Sequence, residues 1–145
     1  MGIVAGHKLT GATIPYSVTH IGQYAFAFNG ITNIVIPDSV VNIDEGAFTD
    51  NNLTSVVIPD SVVSISEGAF SINNLTNVTI PDSVTHIGDH AFYSNNLTDI
   101  VIPCSVTHIG QYTFARNNLT RVIIPNTVVY IGVNAFDFDV EIISK

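Results

Sequence analysis

His86, His90 and His108 are the side chains of this chain best suited to hold a metal ion, the first and last of them 22 residues apart. Imidazoles about 5 Å apart on neighbouring strands can share Zn²⁺ or Cu²⁺. The same interval elsewhere meets His20, Asn42, Ser64 and Tyr130, so the position accepts polar residues in general. Carboxylates recur in the same way, with Asp38, Asp60 and Asp82 in one file and Glu45, Glu67 and Asp89 in another. Stacked carboxylates raise one another's pKa, and Ca²⁺ would relieve them. Solvated acids that each organise their own turn account for the same residues. No Ser, His and acid grouping stands apart from the pattern, no Gly-rich phosphate loop is present, and Cys104 has no second cysteine to pair with. Ser17, Ser39, Ser61, Ser83 and Ser105 lie beside turns, where a capping role suffices. The reading is a non-enzyme with no catalytic residue, no metal site and no cofactor.

All these files share one interval. Pro15, Pro37, Pro59, Pro81, Pro103 and Pro125 are 22 residues apart, and Phe26, Phe48, Phe70, Phe92, Phe114 and Phe136 keep the same step. A fixed period in this range marks a solenoid, whose repeats bury their apolar faces only against neighbours. Copies begin near Leu9, Ile31, Leu53, Leu75, Leu97 and Leu119, and residues 1–145 read as one domain with a C-terminal cap over 137–145. The first copy is worn, with Gly11, Ala12 and Tyr16 at positions that are larger or acidic elsewhere.

Within a copy, Leu53, Val56 and Ile58 alternate as a strand does, which predicts strands over Thr54 to Ile58 and its equivalents, paired in parallel with their successors. Pro59 ends the strand because it has no N–H to give, and Asp60 and Ser61 complete a turn. Val62, Ile65, Ala69 and Phe70 then predict a short extended piece followed by a single helical or 3₁₀ turn that plugs Ala69 and Phe70 into the core. Each copy closes on a pair such as Asn51 and Asn52, where one residue is expected at positive φ and the other buried, bonding loop groups across repeats. The tail DFDVEIISK departs from the pattern, and Asp137, Asp139, Glu141 and Lys145 are expected to discourage another strand at that edge.

Composition limits the partners. The chain has 145 residues, 46% of them apolar and only 11% charged, with a net charge of −8. Lys8, Arg116, Arg121 and Lys145 are its only basic side chains, too few for nucleic acid or an anionic membrane surface. No apolar run approaches a membrane span, and the opening MGIVAGHKLTGATIP has neither the basic nor the apolar region of a secretory signal.

The unit LTSVVIPDSVVSISEGAF, with its LxxVxIP strand, its Val and Ile after the turn and its terminal AF, resembles the BspA-like, treponemal-type leucine-rich repeats from Leu9 to about Phe136. A loop position often filled by Cys in that family is Asn52, Asn74, Asn96 and Asn118 here. The resemblance implies a leucine-rich-repeat solenoid, a right-handed α/β superhelix with a parallel β-sheet on its concave face and short extended or 3₁₀ segments on its convex face. It also implies a cell-surface or secreted setting as part of a longer protein, and protein or peptide ligands.

Strand residues facing away from the core then form two columns. Thr13, Val35, Val57, Thr79, Val101 and Ile123 make an apolar β-branched stripe, and Gly11, Asn33, Ser55, Asn77, Asp99 and Arg121 a variable polar one. Of these, Asn33, Val35, Ser55, Val57, Asn77, Thr79, Asp99, Val101, Arg121 and Ile123 are the expected partner-binding residues. The alternative is a structural segment that stacks end to end through its terminal repeats or crosslinks through Cys104, including a designed or recently duplicated array with no dedicated ligand.

Overall fold

Backbone alternation within each 22-residue copy does produce rungs, and a computed structural model describes residues 5–145. The opening residues 1–4, within the stretch that lacks the pattern of a secretory signal, lie outside the described residues. The second, third and fourth copies point their Val or Ile, Ile, Val, Ile, Ala and Phe inward, and residues of all six copies join one buried cluster. Phe26, Phe48, Phe70, Phe92, Phe114 and Phe136 stack in sequence with centroids 5.3 to 5.6 Å apart and planes within 11° of parallel. Those separations fall in the range favoured by aromatic pairs, so the ring file fixes the spacing of the rungs.

The continuous sheet is not the one expected. Six strands of two residues each, β1 (His20–Ile21), β2 (Asn42–Ile43), β4 (Ser64–Ile65), β6 (His86–Ile87), β7 (His108–Ile109) and β9 (Tyr130–Ile131), pair in parallel in that order. Their outward residues include His20, His86 and His108, so this side is called the histidine face.

On the other side, here the valine face, the predicted strands form only in part. Strand β3 (Ser55–Val57) pairs with β5 (Asn77–Thr79), and β8 (Arg121–Ile124) pairs with the tail strand β10 (Glu141–Ser144). The first two copies meet there through one bridge, Gly11 to Asn33, and the fifth copy contributes no strand. In that copy Asp99 Oδ1 accepts the N–H of its own neighbour Ile100 at 2.9 Å. A side chain that bonds adjacent backbone competes with a ladder, which accounts for the interruption.

The proline turn forms as read, with the Val62 N–H bonded to the Pro59 carbonyl at 3.0 Å and the same bond in every copy. Serine does more than cap. Ser39, Ser61 and Ser83 donate to the carbonyls of Val18, Val40 and Val62 in the preceding rung, whereas the buried Ser105 hydroxyl has no partner among the described residues.

After the histidine-face strand comes no helix but a pair of overlapping turns. Ala69 and Ser71 N–H groups bond back to Ser66 and Gly68, while those of Gly68, Phe70 and Ile72 reach across to Asp89, Ala91 and Tyr93 of the next rung. Peptides facing alternately inward and across require two left-handed residues per turn. They are Gly68 (φ 62°) and Ile72 (φ 54°) here, with Gly46 and Asp50, His90 and Ser94, and Tyr112 and Arg116 at the equivalent places. Positive φ therefore falls one residue before the asparagine pair and not within it.

The burial expected of one asparagine is present. Asn73 Oδ1 accepts from the Leu53 N–H at 3.0 Å, and its Nδ2 donates to the carbonyls of Phe48, Phe70 and Ser71 at 2.9, 3.2 and 3.2 Å. Asn51, Asn95 and Asn117 repeat the arrangement. One buried amide thus satisfies groups of two rungs at once.

The tail itself adds a strand to the valine face, which the sequence pattern did not predict. Residues 141–144 align with 121–124, a shift of 20 instead of 22. The end beyond it is open, for Ile131 is 42% exposed although the equivalent Ile21 and Ile109 are fully buried.

Candidate binding face

Alternation decides which side chains leave the core. In β3 and β5 the buried Val56 and Val78 are flanked by the exposed Ser55 and Val57 and by Asn77 and Thr79. The register Ser55 to Asn77 and Val57 to Thr79 puts each column in line from rung to rung. Val35, Val57 and Val101 are 68, 73 and 74% exposed, while Ile123 falls to 39% because Ile143 of the tail strand lies beside it. Asn33 sits at the bridge to Gly11, and Asp99 and Val101 lie in the copy that has no strand. All ten expected residues are thus outward on one face.

A groove of about 750 Å³ opens at the C-terminal end of that face, walled by residues 98–102 and 120–123 and closed by Cys104, Pro125 and Lys145. Asp99, Val101, Arg121 and Ile123 were legible from the sequence. Lys145 was read only as an edge charge, and its place beside the groove follows from the tail strand, whose near-repeat spacing was the available signal. Lys145 is fixed through its backbone, bonded to Ile124 and Asn126.

On the histidine face, His86 and His108 stack with centroids 4.5 Å apart and planes 11° from parallel. Their Nδ1 atoms pair with Thr85 and Thr107 hydroxyls at 2.9 and 2.8 Å. His90 does not complete a triad with them; its ring stacks on Tyr112 at 5.2 Å instead. Among the described residues no three His, Cys, Asp or Glu side chains converge as metal ligands. The file of Glu45, Glu67 and Asp89 meets a glutamine donor at each end. Glu45 accepts from Gln23 Nε2 at 2.7 Å and the Tyr24 hydroxyl at 2.8 Å, and Asp89 accepts from Gln111. The bond to Glu45 raises the Tyr24 phenol above its ordinary value, with desolvation and the charges of Glu45 and Glu67 adding to it.

Six stacked 22-residue rungs, with parallel strands and an asparagine ladder, define a leucine-rich-repeat solenoid. The BspA type leucine rich repeat region, in six copies, matches residues 4–120 and 42–143. The chain belongs to that family. It is similar to a leucine-rich repeat protein from Eubacterium ventriosum, with a TM-score of 0.65 and 31% identity over 70% of this chain and 27% of that one. It is also similar to a leucine rich cell surface protein from Faecalibacterium prausnitzii, with a TM-score of 0.54 and 25% identity over 94% of this chain and 61% of that one. This chain spans less than two thirds of either relative. Comparison with curated protein sequences gives no match. Among the described residues no helix is long and apolar enough to cross a membrane.

Proposed function

We propose that the chain is a non-enzymatic recognition module whose valine face docks a protein or peptide. The observation that carries this reading is the exposure of Val35, Val57 and Val101 in one file, flanked by Asn33, Ser55, Asn77, Asp99 and Arg121. Isolated surface valines need no explanation, but β-branched residues in line across successive rungs, part of them on parallel strands, leave uncovered a surface that parallel sheets ordinarily bury. The similar cell surface protein supports placing this recognition outside the cell, within a longer protein. Binding to immobilised extracellular matrix proteins tests it. Val57→Glu combined with Val101→Glu should abolish capture while the free energy of unfolding stays within about 0.5 kcal/mol, as for ordinary surface changes. Undiminished capture by that variant moves the binding face elsewhere.

A second reading has its own observation. Ile131, Val133, Phe138 and Ile142 are exposed together at the C-terminal end, whereas Ile21 at the other end is buried. Copies joining through this patch on both partners would meet tail to tail in a closed pair. Light scattering over a concentration series separates this structural role from a monomeric recognition module.

A further inference from the structure

Of four basic side chains in a molecule of net charge −8, two line the same groove, Arg121 and Lys145. The groove sits where the valine-face ladder fails, beside the fifth copy. Its floor and walls are apolar, supplied by Val101, Ile102, Ile123 and Pro125.

Two carboxylates stand one rung to either side of Arg121, and neither is in ion-pair contact with it. Asp99, one rung before Arg121, turns a carboxylate oxygen to the Ile100 N–H, and Glu141, in register with Arg121 on the far side, makes no ion pair with it. Arg121 is therefore an exposed guanidinium without a partner among the described residues. A guanidinium and an ammonium flanking an apolar trough match a ligand that has a bulky apolar side chain with a carboxylate close by. The walls are two short extended segments, and the volume lies within the range of small-ligand clefts.

We infer that this groove is a peptide site for an extended segment that carries an apolar residue and, two positions on and so on the same side, an acidic one, the apolar side chain entering between Val101 and Ile123 and the carboxylate meeting Arg121 and Lys145. The inference rests on the valine face being the recognition face and assigns the chemistry of the partner there.

The probes are three synthetic peptides, acetyl-Gly-Phe-Ser-Glu-Gly-amide, whose Phe and Glu share one side when extended, and its twins with Gln or Lys in place of Glu. Each is titrated into the ¹⁵N-labelled full chain and followed by amide shifts. The acidic peptide should move resonances of residues 98–104 and 120–125 and bind about fivefold or more tightly than the Gln twin, with the Lys twin weakest. Arg121→Gln with Lys145→Gln should remove that preference while leaving the Gln twin's affinity unchanged, and added salt should narrow it. Equal binding of the acidic and Gln peptides overturns the assignment. So does the absence of any shift at millimolar peptide, or shifts confined to residues around Val35 and Val57. Val57→Glu lies outside the groove and separates the two proposals. If it abolishes capture of a matrix protein while no peptide enters the groove, the recognition face stands and the peptide site falls.

Discussion

On the histidine face, strands of only two residues pair through six successive copies without a gap, whereas on the valine face strands of three or four residues pair two at a time. Strand length therefore does not decide which sheet is continuous. What differs is the support alongside. The histidine-face strands lead directly into turns whose N–H groups reach the next rung at every second residue, and those turns carry the phenylalanine stack and lead into the asparagine ladder. The valine-face strands are tied at their start, where Asn74 and Asn96 N–H groups bond to Leu53 and Leu75, and beyond that point a local competitor such as Asp99 opens the ladder. Register is kept on one side, which leaves the other free to vary in residue type and to present a groove.

If that division is right, damage to the stack should dwarf any change on the valine face. Phe70 is fully buried between Phe48 and Phe92. Phe70→Ala is expected to cost about 3–5 kcal/mol in urea unfolding, the usual loss for a core aromatic. A loss below about 1 kcal/mol would mean that the turns hold the rungs without the rings. Asn73→Ala comes next at roughly 2–4 kcal/mol, because the Leu53 N–H and carbonyls of two rungs lose a buried partner. Asn73→Asp sharpens the test, since it keeps the acceptor for Leu53 and loses the donors. Stability near that of the parent chain would show that the donated bonds are dispensable.

The rungs, their 22-residue pitch, the inward phenylalanines and the buried asparagine were all legible in the sequence, because each is written within a copy and repeated. What was not legible arises between copies. The ladder breaks at Asp99 through a bond from a side chain to its own neighbour, and composition alone does not distinguish Asp99 from Asn77 one copy earlier. The left-handed positions were hidden because glycine marks only some of them, Gly6, Gly46 and Gly68; Ile72 and Tyr112 occupy the same conformation although their residue types give no sign of it. Strand β10 was missed because its offset of 20 residues breaks the period, and the groove with it, since Lys145 comes from the segment that strand carries. The outward columns were read correctly because period-two alternation fixes facing even where no ladder forms.

The valine face offers a smaller test of the same division. Asp99→Ser makes the fifth copy match the third at that position, removing the carboxylate that occupies the Ile100 N–H. Amide exchange at Ile100 should then slow as the donor joins the neighbouring strand, while global stability moves by less than about 1 kcal/mol. Exchange that quickens instead would show that Asp99 protects this amide and that the ladder opens for another reason.

The smallest expected effect tests whether polar links between rungs contribute on the outer surface. Tyr24 donates to Glu45 one rung away, and its phenol is held above the ordinary value of about 10 chiefly by that bond. A raised folded pKa means that the stabilising contact is fully present below the unfolded value and is lost as pH rises through the folded one. Tyr24→Phe should therefore melt slightly below the parent chain at pH 7 to 9, with the gap closing above pH 10 as the parent's own phenol ionises. Because the ring is exposed, solvent screening keeps the difference small, and Glu45→Gln should lower the phenol's titration midpoint in ultraviolet absorbance. A melting gap that persists unchanged at high pH would place the contribution of Tyr24 in its ring, which lies over Gly46 and stacks on Phe28, and not in its hydroxyl.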